Sequence, residues 1–169
     1  MTLTSSQAAK LLKTLNDNFS AITEKERKSR EFNAALNEDV ESARPKYDYA
    51  GTREELKELE GKIRKLKHAI NVFNVSHTVP GFDMTIDEML VYIPQLTAKK
   101  AKLAEMRSKL PKSRVEMSYG RSMSIIDYTY INYDLDTIEA DYEKTSDELS
   151  RAQLALDAAN SSVTFEIDI

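Results

Sequence analysis

The sequence contains no cysteine and no tryptophan, and it has only 2 histidines, 4 glycines and 4 prolines. Without cysteine, a disulfide scaffold, a thiolate metal site and a thiol nucleophile are all excluded. The low glycine and proline content favours long helices over many short strands. A chain of 169 residues can bury a core without a disulfide or a metal, so we predict a single domain over residues 1–169.

Long hydrophobic runs are also missing. The longest, residues 89–93, is far shorter than the ~20 apolar residues that span a bilayer. The opening segment lacks the basic and apolar regions of a signal peptide. The net charge of -4 gives no general attraction to nucleic acid or to anionic membranes. We therefore predict a cytoplasmic protein without a transmembrane segment.

Four segments have apolar residues at helical spacing, namely residues 5–25, 52–75, 85–110 and 135–160. Three of the four are preceded by capping-box pairs, which satisfy the free N–H groups of a first turn; the pairs are Thr4 with Gln7, Thr52 with Glu55, and Thr85 with Glu88. The fourth helix is predicted to begin near Asp134 or Asp136. Pro94 should kink or divide the third helix, because proline removes a backbone hydrogen bond.

The remaining segments are predicted to be extended or irregular. We expect an excursion over residues 27–51 with short strands near 32–36 and 46–49, a loop over 112–120, and strands at 124–133 and 162–169. The alternating C-terminal strand must pair with another strand, and the earlier strands are its expected partners, in the same chain or in a neighbouring subunit. The predicted fold is α+β and mainly helical, a bundle of about four long helices with a small antiparallel β-sheet.

Two of the helices carry apolar stripes at heptad spacing. Strict heptad stripes are narrower than the face of an ordinary core helix and are typical of helix seams. Two such seams in a short chain predict a homo-oligomer with residues 52–75 or 135–160 at the interface. Asn71 and Asn74 lie beside the first seam, where a buried asparagine can fix register. The interface candidates are Leu56, Leu59, Ile63, Leu66, Ile70, Asn71, Phe73, Asn74, Leu149, Leu156, Phe165 and Ile167.

Charge is distributed in blocks. Residues 99–114 carry seven basic residues and one glutamate, whereas residues 127–148 carry eight acidic residues and one lysine. The basic block could bind RNA or phosphate. Alternatively, the third and fourth helices pack antiparallel, so that the basic half of one lies beside the acidic half of the other. We favour the second interpretation, because solvated charged faces are ordinary on such helices.

No pattern of catalytic residues or metal ligands is present. His68 and His77 lack metal-binding spacing, and the adjacency of Ser76 and His77 does not by itself make a catalytic pair. We therefore predict a protein that is not an enzyme, with no catalytic, cofactor-binding or metal-binding residues.

Two further groups of side chains admit two interpretations each. The acidic residues near the turn before the third helix could contact a cation, but they suit the first turn of a helix better. The tyrosines could stack on nucleic acid bases, but a half-buried sheet or an interface is the more frequent role. The acidic residues are Asp83, Asp87 and Glu88, and the tyrosines are Tyr119, Tyr128, Tyr130 and Tyr133.

Several stretches resemble a family of small bacterial proteins often labelled septicolysin. They are Ile-Asn-Val-Phe-Asn at residues 70–74, the segment 79–96 that begins Val-Pro-Gly-Phe-Asp, residues 156–160 and the tail at 165–167. The resemblance covers most of the chain. It implies long helices with a small sheet and self-association, and the label implies a haemolysin. We expect a non-enzymatic structural or interaction protein whose partner is itself; the alternatives are a cytolysin acting on membranes and an RNA-binding protein using residues 99–114.

Overall fold

The structure, a computed structural model, describes residues 1–115 and 127–169. Its elements in chain order are β1 (Thr2–Thr4), α1 (Ser5–Ser29), α2 (Val40–Ala43), α3 (Tyr49–Ser76), α4 (Ile86–Arg107), β2 (Lys112–Arg114), β3 (Tyr128–Tyr130), α5 (Leu135–Ser162) and β4 (Thr164–Glu166). Four of these helices are long, so the predicted α+β, mainly helical fold is confirmed.

Local capping chemistry sets the start of three long helices as predicted. Thr4 caps α1 and Thr85 caps α4, each in a complete capping box. Asp134 caps α5 by accepting a hydrogen bond from the backbone N–H of Thr137 at 2.9 Å. In each case a side-chain oxygen satisfies one N–H group of the first turn, which has no partner within the helix.

The predicted capping box at Thr52 is wrong, because α3 begins earlier. The side chain of Asp48 accepts a hydrogen bond from the Gly51 N–H at 3.1 Å, so the helix begins at Tyr49. The backbone N–H of Thr52 already donates to the carbonyl of Asp48 at 3.0 Å. Aspartate is as good a cap as threonine, and this cap lies one turn nearer the N-terminus.

Pro94 lies inside α4, which continues through it to Arg107. The proline ring is on the exposed side of the helix. The helix is therefore not divided at this residue.

The long helices form two antiparallel pairs, α1 with α3 and α4 with α5. Within the second pair, Arg107 Nη1 lies 3.0 Å from Glu139 Oε1, and Lys100 Nζ donates to Ser146 Oγ at 2.8 Å. The basic half of α4 therefore lies beside the acidic half of α5, as the antiparallel interpretation predicted. A short turn after α3 leads directly into α4, with a bridge between Thr78 and Thr85.

The core lies where the two helix pairs meet. The larger cluster joins α4, α5, the end of α3 and the turn that follows it; its buried members are Phe73, Val79, Ile86, Met89, Leu96, Leu149, Ala152, Leu156 and Ala159. A smaller cluster of Ala8, Leu66 and Ile167 joins α1, α3 and the C-terminal tail. Phe165 packs against both clusters and so connects the two helix pairs.

Two small antiparallel sheets complete the described structure. β1 pairs with β4, with Leu3 opposite Phe165, and the N-terminal ammonium of Met1 donates to the carbonyl of Ile167 at 2.6 Å. β2 pairs with β3, with Ser113 opposite Thr129. We refer to the second sheet as the β2–β3 ribbon.

The observed strands differ from the predicted ones in one pairing and in two locations. The C-terminal strand pairs with the N-terminus rather than with the strand near residue 128 or with residues 46–49. Residues 27–51 contain helical segments and no strand, and the predicted loop at 112–120 begins with β2. The start of α1 and the end of α5 lie at the same end of the molecule, so β1 and β4 come together. The alternation of apolar and polar residues in a strand does not indicate which strand it will pair with. Residues 124–126 of the predicted strand lie outside the described residues.

Candidate interaction surface

The heptad stripe of α3 packs within its own chain. Leu66 and Phe73 are buried, and Ile70 is partly buried against the smaller cluster. Leu56 and Leu59, nearer the start of the helix, are only partly buried. The stripe is thus covered well where α4, α5 and the tail are near, and incompletely towards the start of α3.

Open grooves follow the incompletely covered part of the stripe. One of about 380 Å³ is lined by Ala21 and Ile22 of α1 and by Leu59 and Lys62 of α3, among others. Another, of about 450 Å³, includes Ile63 in its lining. Their linings come from α1 and α3 alone, because this half of the α1–α3 pair extends beyond the core.

A further groove, of about 590 Å³, lies between the end of α1 and the start of α3. In it, the hydroxyl of Tyr47 donates to Glu26 at 2.6 Å. That hydrogen bond raises the pKa of Tyr47 to about 12, because losing the phenol proton would place two anions side by side. The bond connects α1 to the segment that leads into α3.

The candidates in α5 and the tail are inside the molecule. Leu149 and Leu156 are buried against α4, Ile167 is buried in the smaller cluster, and Phe165 packs between the two clusters. Of the two asparagines, Asn71 is exposed. Asn74 keeps its Oδ1 buried with no hydrogen-bond partner among the described residues.

The side chains of Ser76 and His77 lie at the end of α3 and contact each other there, with Oγ 3.0 Å from Nδ1. Ser76 Oγ donates to the carbonyl of Val72 at 2.7 Å, and His77 Nδ1 lies 2.9 Å from the carbonyl of Phe73. When Nδ1 carries the proton, it donates to that carbonyl and has no lone pair to take the serine proton. Both side chains thus add a hydrogen bond to carbonyl groups near the helix end, and the carbonyl of Phe73 also accepts from the backbone N–H of His77 at 3.1 Å.

Of the three acidic residues near the start of α4, Glu88 has a structural role in the capping box. Glu88 accepts from the backbone N–H of Thr85 at 2.7 Å and from its hydroxyl at 3.0 Å. These hydrogen bonds, the backbone one foremost, lower the pKa of Glu88. In residues 1–115 and 127–169, no three histidine, aspartate or glutamate side chains are grouped so that they could hold a metal ion.

The basic block is divided between separate contacts. Lys100 and Arg107 lie over the ring of Tyr142 in α5, in addition to their contacts with Ser146 and Glu139. Lys109 pairs with Glu105 of its own helix. Two of the seven cations, Lys100 and Arg107, therefore face α5.

The tyrosines lie near the β2–β3 ribbon. Lys112 Nζ is 4.0 Å from the centre of the Tyr128 ring and 5.4 Å from that of Tyr130. Tyr133 donates to the carbonyl of Met106 at 2.8 Å and so ties the chain after the ribbon to the end of α4. Tyr119 lies outside the described residues. Tyr128 and Tyr130 are in a strand, as their alternation predicted, and both are exposed.

The molecule exposes much more surface than its mass requires. Its accessible surface is 12705 Å², whereas a compact monomer of 19.2 kDa exposes about 8,400 Å². The eleven residues outside the described ranges can account for at most about 1,750 Å² of the difference of about 4,300 Å². The excess reflects helices that pack in pairs rather than in a compact bundle.

None of the helices formed by the described residues combines the length and the apolar character needed to cross a bilayer.

No protein-family model and no curated protein matches the sequence. Among solved structures, the fold is similar to the crystal structure of a functionally unknown conserved protein from Corynebacterium diphtheriae, with a TM-score of 0.63. The alignment covers 98% of this chain and 100% of the other, at 16% sequence identity. This similarity extends over the whole chain and concerns the fold alone.

Proposed function

We propose that the protein is a non-catalytic interaction protein of the cytoplasm that associates with copies of itself. The observation that carries this proposal is the excess of exposed surface over that of a compact monomer, of which at least about 2,500 Å² belongs to the described residues. A protein–protein interface of standard size buries about 1,600 Å² in total, so the excess is large enough for more than one such contact. The sequence resemblance to the septicolysin-labelled family, which implies self-association, agrees with this role.

Sedimentation velocity and light scattering of the full chain at micromolar concentrations test the proposal. We expect a species larger than a monomer, and a thermal midpoint that rises with protein concentration because dissociation is coupled to unfolding. A monomer at every concentration, with a midpoint independent of concentration, would refute the proposal.

The two other activities considered from the sequence have distinct signatures. RNA binding would weaken steeply with salt, with a log–log slope of about -0.7 per neutralised phosphate for single strands. Reversal of Lys99, Lys100 and Lys102 to glutamate would abolish it. A cytolysin would release a dye trapped in anionic liposomes. For a self-associating protein without these activities, we expect neither result.

A further inference from the structure

The β2–β3 ribbon is a sheet whose two outer edges have no strand beside them among the described residues. It consists of three residue pairs, and all six residues are exposed. In the chain the ribbon lies between α4 and α5, and in space it lies at the end of this helix pair that is remote from the core. A two-stranded ribbon is at best marginally stable by itself, and a third or fourth strand stabilises it.

The hydrogen bonds at the two ends of the ribbon determine which backbone groups face outward. The N–H of Val115 donates to the carbonyl of Asp127 at 3.0 Å, and the N–H of Ile131 donates to the carbonyl of Pro111 at 3.3 Å. In an antiparallel ladder the hydrogen-bonded pairs alternate with pairs that are not hydrogen-bonded. The hydrogen-bonded pairs of this ribbon therefore fall at odd-numbered residues.

The even-numbered residues consequently direct their N–H and C=O groups away from the ribbon. On the outer edge of β3 these groups belong to Tyr128 and Tyr130, and on the outer edge of β2 they belong to Lys112 and Arg114. Thr129 uses its own backbone groups towards β2. Each edge thus offers two donors and two acceptors to an added strand.

The two edges differ in charge. Two copies that met through β2 would bring Lys112 and Arg114 of each close together, and charged residues on an edge strand are a common means of preventing such pairing. β3 reads Tyr-Thr-Tyr, which has no charge and consists of residues with high β-propensity. The β3 edge is therefore the one that accepts a copy of itself.

The faces of the tyrosine rings are less available than the strand edge. The ammonium of Lys112 already lies over Tyr128 and near Tyr130. A nucleic acid base would have to displace it in order to stack on either ring. These contacts favour an added strand over a single-stranded nucleic acid.

We propose that a second copy of this chain adds to the outer edge of β3, with β3 of one copy antiparallel to β3 of the other about a two-fold axis at Thr129. Tyr128 of each copy then lies opposite Tyr130 of the other, and their outward N–H and C=O groups form hydrogen bonds. The result is a four-stranded sheet with the charged β2 strands at its edges. This inference rests on the proposed self-association and names its surface.

A single cysteine at the axis tests this arrangement. In the proposed register the two copies of residue 129 form a pair that is not hydrogen-bonded, with Cα atoms about 4.5 Å apart, within the range of a disulfide. Because the chain has no cysteine of its own, Thr129→Cys carries a unique thiol. Ser113→Cys, at the centre of β2, is the matched control. Under mild oxidation at micromolar concentration we expect Thr129→Cys to form a covalent dimer at least ~10-fold faster than the control, because pairing raises the local thiol concentration.

Removal of a backbone donor tests the same surface without a thiol. Tyr130→Pro eliminates an N–H that points away from β2, a position at which an edge strand tolerates proline. We expect it to raise the dissociation constant of the dimer ~10-fold or more, as the loss of about two hydrogen bonds implies. Arg114→Pro makes the equivalent change on the outer edge of β2 and should leave dissociation unchanged.

The outcomes separate this inference from the proposed function. If the unmodified chain is oligomeric but Thr129→Cys cross-links no faster than Ser113→Cys, the pairing through β3 is wrong while self-association stands. Faster cross-linking of Ser113→Cys would place the contact at β2 and also overturn the inference. A monomer at all concentrations would remove both the inference and the proposed function.

Discussion

Phe165 connects the two helix pairs, so its truncation should have a larger effect than its position near the C-terminus suggests. It is the central residue of β4, is partly buried, packs against both core clusters, and lies 4.8 Å from Phe73 between ring centres. Replacement of a buried phenylalanine by alanine costs about 3–5 kcal/mol. Because Phe165 keeps some exposure, we expect Phe165→Ala to lower the free energy of unfolding by about 2–4 kcal/mol.

Urea unfolding followed by circular dichroism, at a fixed protein concentration, measures this effect. Glu166→Ala is the matched control, since Glu166 is adjacent, exposed and on the opposite face of the strand. Loss of the connection between the helix pairs should also make unfolding less cooperative, which lowers the apparent m-value or produces two steps. A change within about 0.5 kcal/mol of that in Glu166→Ala, with an unchanged m-value, would contradict the role assigned to Phe165.

A double-mutant cycle isolates the contact between the two rings. Phe73→Ala alone should be at least as destabilising as Phe165→Ala, because Phe73 is the more deeply buried of the two. If the rings stabilise each other directly, the two changes should be non-additive by about 0.5–1.5 kcal/mol. Additive effects would mean that the rings contribute only through separate contacts.

Three further predictions follow from local chemistry. The pKa of Tyr47 is raised from 10.0 to about 12 by its hydrogen bond to Glu26, so the stability from this bond is present below pH 10 and is lost as the pH rises towards 12; phenolate absorbance should lose a component near pH 12 in Tyr47→Phe. Thr85→Ala should lower the free energy of unfolding by about 1 kcal/mol through loss of the cap of α4, whereas Thr97→Ala, in the exposed middle of the same helix, should leave it almost unchanged. Asn74→Ala should raise the free energy of unfolding by about 0.5–1 kcal/mol, because alanine is the better helix former and the buried Oδ1 loses no partner. Chemical denaturation measures the Thr85 and Asn74 variants alike. A large loss of stability in Asn74→Ala would show that the asparagine side chain has a partner.

The features that the sequence predicted well are those with a short physical range. A capping box needs residues only three positions apart, and the starts of α1 at Thr4 and α4 at Thr85 follow from it. The start of α3 was predicted one turn too late, because Asp48 and Thr52 are both acceptable caps. Only the geometry of the preceding chain selects between them. The antiparallel packing of α4 and α5 was predictable because the charges at Arg107 and Glu139 fall in complementary halves of the two helices.

Strand pairing could not be predicted in the same way. β1 has three residues and contains too little pattern to identify as a strand, yet it is the partner of β4. Its pairing depends on where two helices begin and end in space, which is a property of the whole fold. β2, with the sequence Lys-Ser-Arg, has no apolar alternation and was interpreted as a loop. The β3 edge could not be proposed as an interface from the sequence, because an edge exists only once the order of strands is known.

The heptad stripes indicate why a helix seam in a sequence does not specify an interface between molecules. The stripe of α3 meets α1, and the stripe of α5 meets α4, so much of each is satisfied within one chain. A seam between helices of one chain and a seam between two chains have the same sequence period, because both bury the same narrow face. What remains for self-association is the surface that intramolecular pairing leaves uncovered. The β3 edge belongs to this surface, and its outward-facing backbone groups, unlike an apolar stripe, would fix the direction and register of a partner strand.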